Sequence, residues 1–72
     1  MRTFTAYVEW DPDAKLYVGI VPGIAGAHTQ AATLDELNGN LKEVLALCLQ
    51  EQGEDIDNLP YFVGLQQVEV GE

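Results

Sequence analysis

His28, Cys48 and the carboxylates of Glu9, Asp11 and Asp13 are the side chains whose chemistry comes into question first. His28 is the one histidine of the chain. A general base needs a partnered acid and a substrate within hydrogen-bond reach. The sequence around His28 announces neither, so a structural hydrogen bond in a strand or loop is the better reading. Glu9, Asp11 and Asp13 are oxygen donors of the kind a divalent ion takes. Asp11-Pro12-Asp13 is also turn chemistry, because proline pre-sets its φ and aspartate accepts from nearby backbone N–H groups. The turn explains these residues without a metal. With His28 they would be the remnant of a nuclease, but metal-assisted cleavage needs convergent carboxylates, and these are strung along a turn. Glu36 serves better as a helix cap than as an acid. Cys48 falls on an apolar helix stripe, where a free thiol is buried and inert. There is no Walker-type loop, His/Cys cluster or nucleophile elbow. The chain is read as non-enzymatic, with no catalytic residue, no metal and no cofactor.

The elements that would carry these groups follow from patterning. Seventy-two residues make a single domain over residues 1–72. A chain this short buries only about 60% of the surface its unfolded form exposes, so association would help it. Phe4, Ala6, Val8 and Trp10 alternate with Thr3, Thr5, Tyr7 and Glu9, the period of a half-buried strand. After the turn at residues 11–15, Leu16, Val18 and Ile20 alternate with Tyr17, Gly19 and Val21. The expected product is a hairpin with Phe4, Ala6, Val8, Trp10, Leu16, Val18 and Ile20 on one face. Thr3, Thr5, Tyr7, Tyr17 and Val21 would share the other.

The stretch from Val21 to Leu37 organises the chain. Pro22-Gly23 ends the second strand, since proline cannot donate to a ladder and glycine permits positive φ. Residues 27–31 fit a short third strand. Thr33 and Glu36 have capping-box spacing and open a helix. Leu34, Leu37, Leu41, Val44, Leu45 and Cys48 recur at three- and four-residue steps and form its apolar stripe. Leu47 lies off the stripe, and Trp10 and Leu34 belong to the expected core. Gly39 sits on the polar side. Gly53 is a fitting C-terminal stop, Glu54, Asp55 and Asp57 make an acidic linker, and Tyr61 to Val70 is a last strand with a bulge at Gln66-Gln67. The fold class is α+β: a βββαβ antiparallel sheet with one helix across one face. One helix leaves the second face or an edge to be managed by another chain or by polar residues. A homodimer or higher homo-oligomer is expected.

Twelve acidic residues against three basic ones give a formal charge of −9. Phosphate binding needs clustered Lys/Arg, and Arg2, Lys15 and Lys42 are scattered, so neither nucleic acid nor an anionic membrane is an expected partner. A basic protein is, because opposite charge speeds encounter; the charge also serves solubility. A lone cysteine allows no intrachain disulfide. With no signal-type apolar run and no stretch of about 20 apolar residues, the expected location is the cytoplasm.

At Tyr17-Val18, Val21-Pro22-Gly23-Ile24-Ala25-Gly26, Thr29-Gln30 and Thr33-Leu34-Asp35-Glu36, with Asn40 and Lys42-Glu43 following, the chain resembles the HicB-like antitoxin family. The resemblance runs from Tyr7 to Val70. Ala25 stands where that family usually has a second proline, Ala31 where glycine is common, and Leu37 where alanine is usual. The resemblance implies a domain related to a partial ribonuclease H fold without its metal-binding carboxylates. It also implies a partner: HicB-like domains mask HicA-type toxins, small basic RNA-cleaving proteins. Many members add a C-terminal DNA-binding domain. This chain ends at Glu72 without one, so direct DNA binding is not expected. The resulting expectation is a protein-binding module that masks a small basic HicA-type toxin. The alternative is an orphan oligomeric structural or sensing domain without a toxin partner. The expected partner contacts are Tyr7, Asp11, Asp13 and Tyr17.

Overall fold

Asp11 both ends the first strand and builds the turn that starts the second. Its Oδ1 accepts from the backbone N–H of Asp13 (3.0 Å) and of Ala14 (3.2 Å), and its carbonyl accepts from Lys15 N–H (2.7 Å). Lys15 completes the turn in the left-handed region at φ 58. The computed structural model describes residues 3–52 and 59–71. Within them lie β1 (Tyr7–Asp11), β2 (Leu16–Ile20), β3 (His28–Ala31) and the helix α1 (Leu34–Gln52). The strands form one antiparallel sheet in the order β1-β2-β3. The fold is α+β with a βββα arrangement. The expected helix stop at Gly53 and the acidic linker after it lie outside the described residues. Tyr61 to Val70, expected as a last strand, is not one: a strand needs a partner edge, and among the described residues none pairs with this segment.

The loop between β2 and β3 supplies much of the core. Val21, Ile24 and Ala27 are buried with Ala31, Leu37, Leu41 and Cys48. Val21 N–H donates to the Ala27 carbonyl (2.8 Å) and Ala27 N–H to the Ile24 carbonyl (3.1 Å), so this apolar loop keeps its backbone groups paired while burying its side chains. The Cys48 thiol is buried and donates to the Ala25 carbonyl at 3.5 Å, which ties the late helix to the same loop. Val44, Leu45 and Leu49 pack around this cluster, completing the stripe.

The helix begins as its sequence dictates. Thr33 Oγ1 accepts from Glu36 N–H at 3.1 Å, and the Thr33 carbonyl accepts from Leu37 N–H at 3.0 Å. One orphan donor of the first turn is thereby satisfied. Thr33→Ala should lower stability by about 1 kcal/mol, read from urea melts, while Thr33→Ser should leave the midpoint nearly unchanged. Farther along, Asn40 Nδ2 donates to the Gln30 carbonyl at 3.3 Å and pins the helix to β3.

Three expectations about faces are corrected. Tyr7 lies opposite Ile20, Glu9 opposite Val18 and Trp10 opposite Tyr17. Directly opposed residues share a face, so Leu16, Val18 and Ile20 lie on the opposite face from Val8 and Trp10. The helix lies over Tyr17, Gly19 and Val21: a Cβ on Gly19 would stand 3.0 Å from Leu41 Cδ1 and 3.3 Å from Leu37 Cδ2. The bare Gly19 backbone is what lets the helix approach. Second, Trp10 is half exposed rather than core, because the helix packs on β2 and β3 and leaves β1 uncovered. Third, Leu34 is 55% exposed, because burial along this helix begins only at Leu37.

Candidate functional site

The sheet face turned away from the helix is built of three rows. Tyr7, Ile20 and His28 form one, Glu9, Val18 and Gln30 the next, and Asp11 with Leu16 the last. Period two forces this composition: once Gly19 and Val21 face the helix, Leu16, Val18 and Ile20 must face away. Tyr7 and Ile20 are exposed, and Leu16 and Val18 are half-buried. The apolar centre is therefore a stripe along β2, extended at one end by Tyr7. Phe62 packs edge-on against Tyr7, with ring centroids 5.8 Å apart and planes at 75°. Glu9, Gln30 and His28 are exposed on the flanking strands. An apolar stripe between polar strands can receive another surface.

The four expected contact residues do not share one surface. Tyr7 and Asp11 lie on this open face. Tyr17 lies on the helix side, where its ring sits 4.8 Å from that of Trp10. Asp13 is exposed in the hairpin turn, and the Asp11 carboxylate is committed to that turn. Glu9, Asp13 and the sheet residue His28 are not brought together either: β1 and β3 are separated by β2, about 10 Å from strand to strand. Among the described residues no group of three or more His, Cys, Asp or Glu side chains could hold a metal ion. Val18 and Ile20 were missed as surface residues because they were assigned to the core. Gly19 was the available signal: a glycine in mid-strand marks a place where another element comes close.

A cleft of about 310 Å³ lies at the Tyr7 end of the sheet, between residues 3–7, Val21-Pro22 and residues 59–62. Leu59 and Pro60, which line it, stand against Gly23. Among the described residues no helix is long and apolar enough to cross a membrane.

Fold and surface together define a small acidic α+β domain, with one helix on one face of a three-stranded sheet and a partly apolar face left open. The chain belongs to the UPF0150 family. It is 51% identical to a UPF0150 protein of Thermotoga maritima over 69 residues, which is 96% of this chain and 91% of that protein. A UPF0150 protein of Synechocystis is 37% identical over 96% of both chains. One of Archaeoglobus fulgidus is 42% identical over 93% of both. No protein-family model matches the chain, and no solved structure matches it.

Proposed function

We propose that this domain is a protein-binding module of HicB-like type, acting in the cytoplasm, which masks a small basic RNA-cleaving protein of the HicA kind. The observation that carries the reading is the open sheet face, with Val18, Ile20 and Tyr7 in its middle and Glu9 beside them, on a chain of formal charge −9. Apolar contact there would supply affinity. The negative field would speed encounter with a basic partner and disfavour acidic ones. The Val21–Leu37 motif spacing supports the same reading. The contact set shifts accordingly, from Tyr17 to Val18 and Ile20, and from Asp11 to Glu9.

Co-expression with a small basic protein encoded beside this chain tests the proposal. A complex should form at low salt and weaken as salt rises, because exposed charges are screened. Glu9→Lys with Asp13→Lys should weaken it about tenfold or more and flatten the salt dependence. Asp11 is left intact so that the hairpin survives. Affinity unchanged by that pair, or no complex at low salt, would defeat the reading. The alternative, an oligomeric structural or sensing domain, draws its support from the exposed C-terminal segment.

A further inference from the structure

Residues 61–71 carry no secondary structure and are exposed throughout. Tyr61, Val63, Leu65, Val68 and Val70 are between 76% and 95% exposed. Their spacing is that of one strand face: every second residue to Leu65, one extra residue at Gln66-Gln67, then every second residue again. A bulge restores the face after such an insertion. The radius of gyration is 14.1 Å, against about 11 Å for a compact chain of this length. Five large apolar side chains on one face, in a segment with no role in its own core, are a strand without a sheet.

The same molecule carries an edge without a strand. β1 pairs only with β2. The helix covers β2 and β3, and Val8 and Trp10 remain half exposed on the helix side of β1. On the far side of the sheet, Asn40 already engages a carbonyl of β3. The β1 edge is therefore the open one.

We propose that residues 63–70 of one chain add as a strand to the β1 edge of a second copy, reciprocally, so that this family member is an arm-exchanged homodimer. Val63 and Leu65 share one face of such a strand and would cover Val8 and Trp10, which stand half exposed on the helix side of β1. The arm is long enough: eight residues span about 26 Å, whereas β1 spans about 17 Å. Within one chain Phe62 rests on Tyr7, while among the described residues no strand pairs with residues 63–70 and their apolar side chains stay exposed; the exchange gives them the β1 edge of another copy. Pairing the two would extend each three-stranded sheet to four. The exchange is independent of a basic partner on the open face, which is a different surface.

Light scattering on the full chain tests it. The expected mass is twice the chain's 7.9 kDa. Leu65→Pro with Val68→Pro removes two donors and two apolar contacts at positions that are 83% and 76% exposed in the single chain. This variant should run at half the wild-type mass with an unchanged circular dichroism spectrum in the helical bands. A milder pair, Val63→Asn with Leu65→Asn, should raise the dimer dissociation constant at least tenfold. Val8→Cys and Val63→Cys variants, each on a Cys48→Ser background, should cross-link when mixed. A dimer that survives both arm variants would place the contact elsewhere and overturn the proposal. A monomeric wild type whose arm amides resist hydrogen exchange would mean pairing within one chain, and would overturn it equally.

Discussion

Leu37→Ala is expected to unfold most of this protein at temperatures where the wild type is folded. Leu37 is 2% exposed, and its side chain is the largest of those fully buried. It stands under the sheet where Gly19 lets the helix come close, with both Cδ atoms within 3.4 Å of the position a Gly19 Cβ would take. Truncation loses the transfer free energy of the removed carbons and leaves a cavity, about 2–5 kcal/mol in buried leucines. A chain of 72 residues has a total stability of only about 4–11 kcal/mol. The urea midpoint should therefore fall by a third or more, and the melting temperature by about 10–30 °C. Leu34→Ala is the control. It removes the same atoms from the same helix at a site 55% exposed, and should change the midpoint little. Equal losses at the two positions would mean that the helix stripe is rotated from the one described.

That contrast also marks what could be read from the chain. Thr33 and Glu36 announce the helix start by local chemistry, and Thr33 caps it. Asp11-Pro12-Asp13 announces a turn, and Asp11 makes its bonds. The apolar steps from Leu37 to Cys48 announce the buried stripe. All of these depend on neighbours within four residues. The faces of β2 do not. Leu16, Val18 and Ile20 alternate with Tyr17, Gly19 and Val21, and both sets are apolar enough to be core. Hydrophobicity favours the first set; the register of the hairpin imposes the second. Four residues lie between Asp11 and Leu16, so Trp10 faces the same way as Tyr17, and a one-residue error reverses every side chain. The candidate surface inherited that error. Tyr7 lies on the expected face, which the alternation of β1 sets, whereas Tyr17 lies on the helix side, which the register of the hairpin sets. Residues 61–70 show a different limit. Their alternation is plain, but alternation does not supply the partner edge that a strand needs, and among the described residues none pairs with them. A further mistake was to give Leu34 and Trp10 to the core on hydrophobicity alone, when sheet width and helix position decide what is covered.

Gly23→Ala should be strongly destabilising although it adds a single methyl group. Gly23 has φ 88, a region where a Cβ meets the following carbonyl oxygen, at a cost of about 1–2 kcal/mol for alanine. The added carbon would also stand 2.6 Å from Pro60 Cδ and 3.2 Å from Leu59 Cδ2. Neither neighbour yields easily, since the proline ring is rigid and Leu59 is packed against the core. Overpacking of that kind adds about 1–3 kcal/mol. The combined loss of about 2–5 kcal/mol rivals that from Leu37. Gly39→Ala inverts the sign. Gly39 is helical and nothing lies within 4 Å of its Cβ position, so alanine should stabilise by about 1 kcal/mol through helix propensity alone. Urea melts of the two variants, side by side, separate a glycine required by its φ and its neighbours from one that is merely tolerated. Because Leu59 and Pro60 anchor the start of residues 61–71, Gly23→Ala should also shift the amide resonances of that segment, which Gly39→Ala should leave in place. A Gly23→Ala protein as stable as the wild type would mean that Pro60 does not rest on this turn.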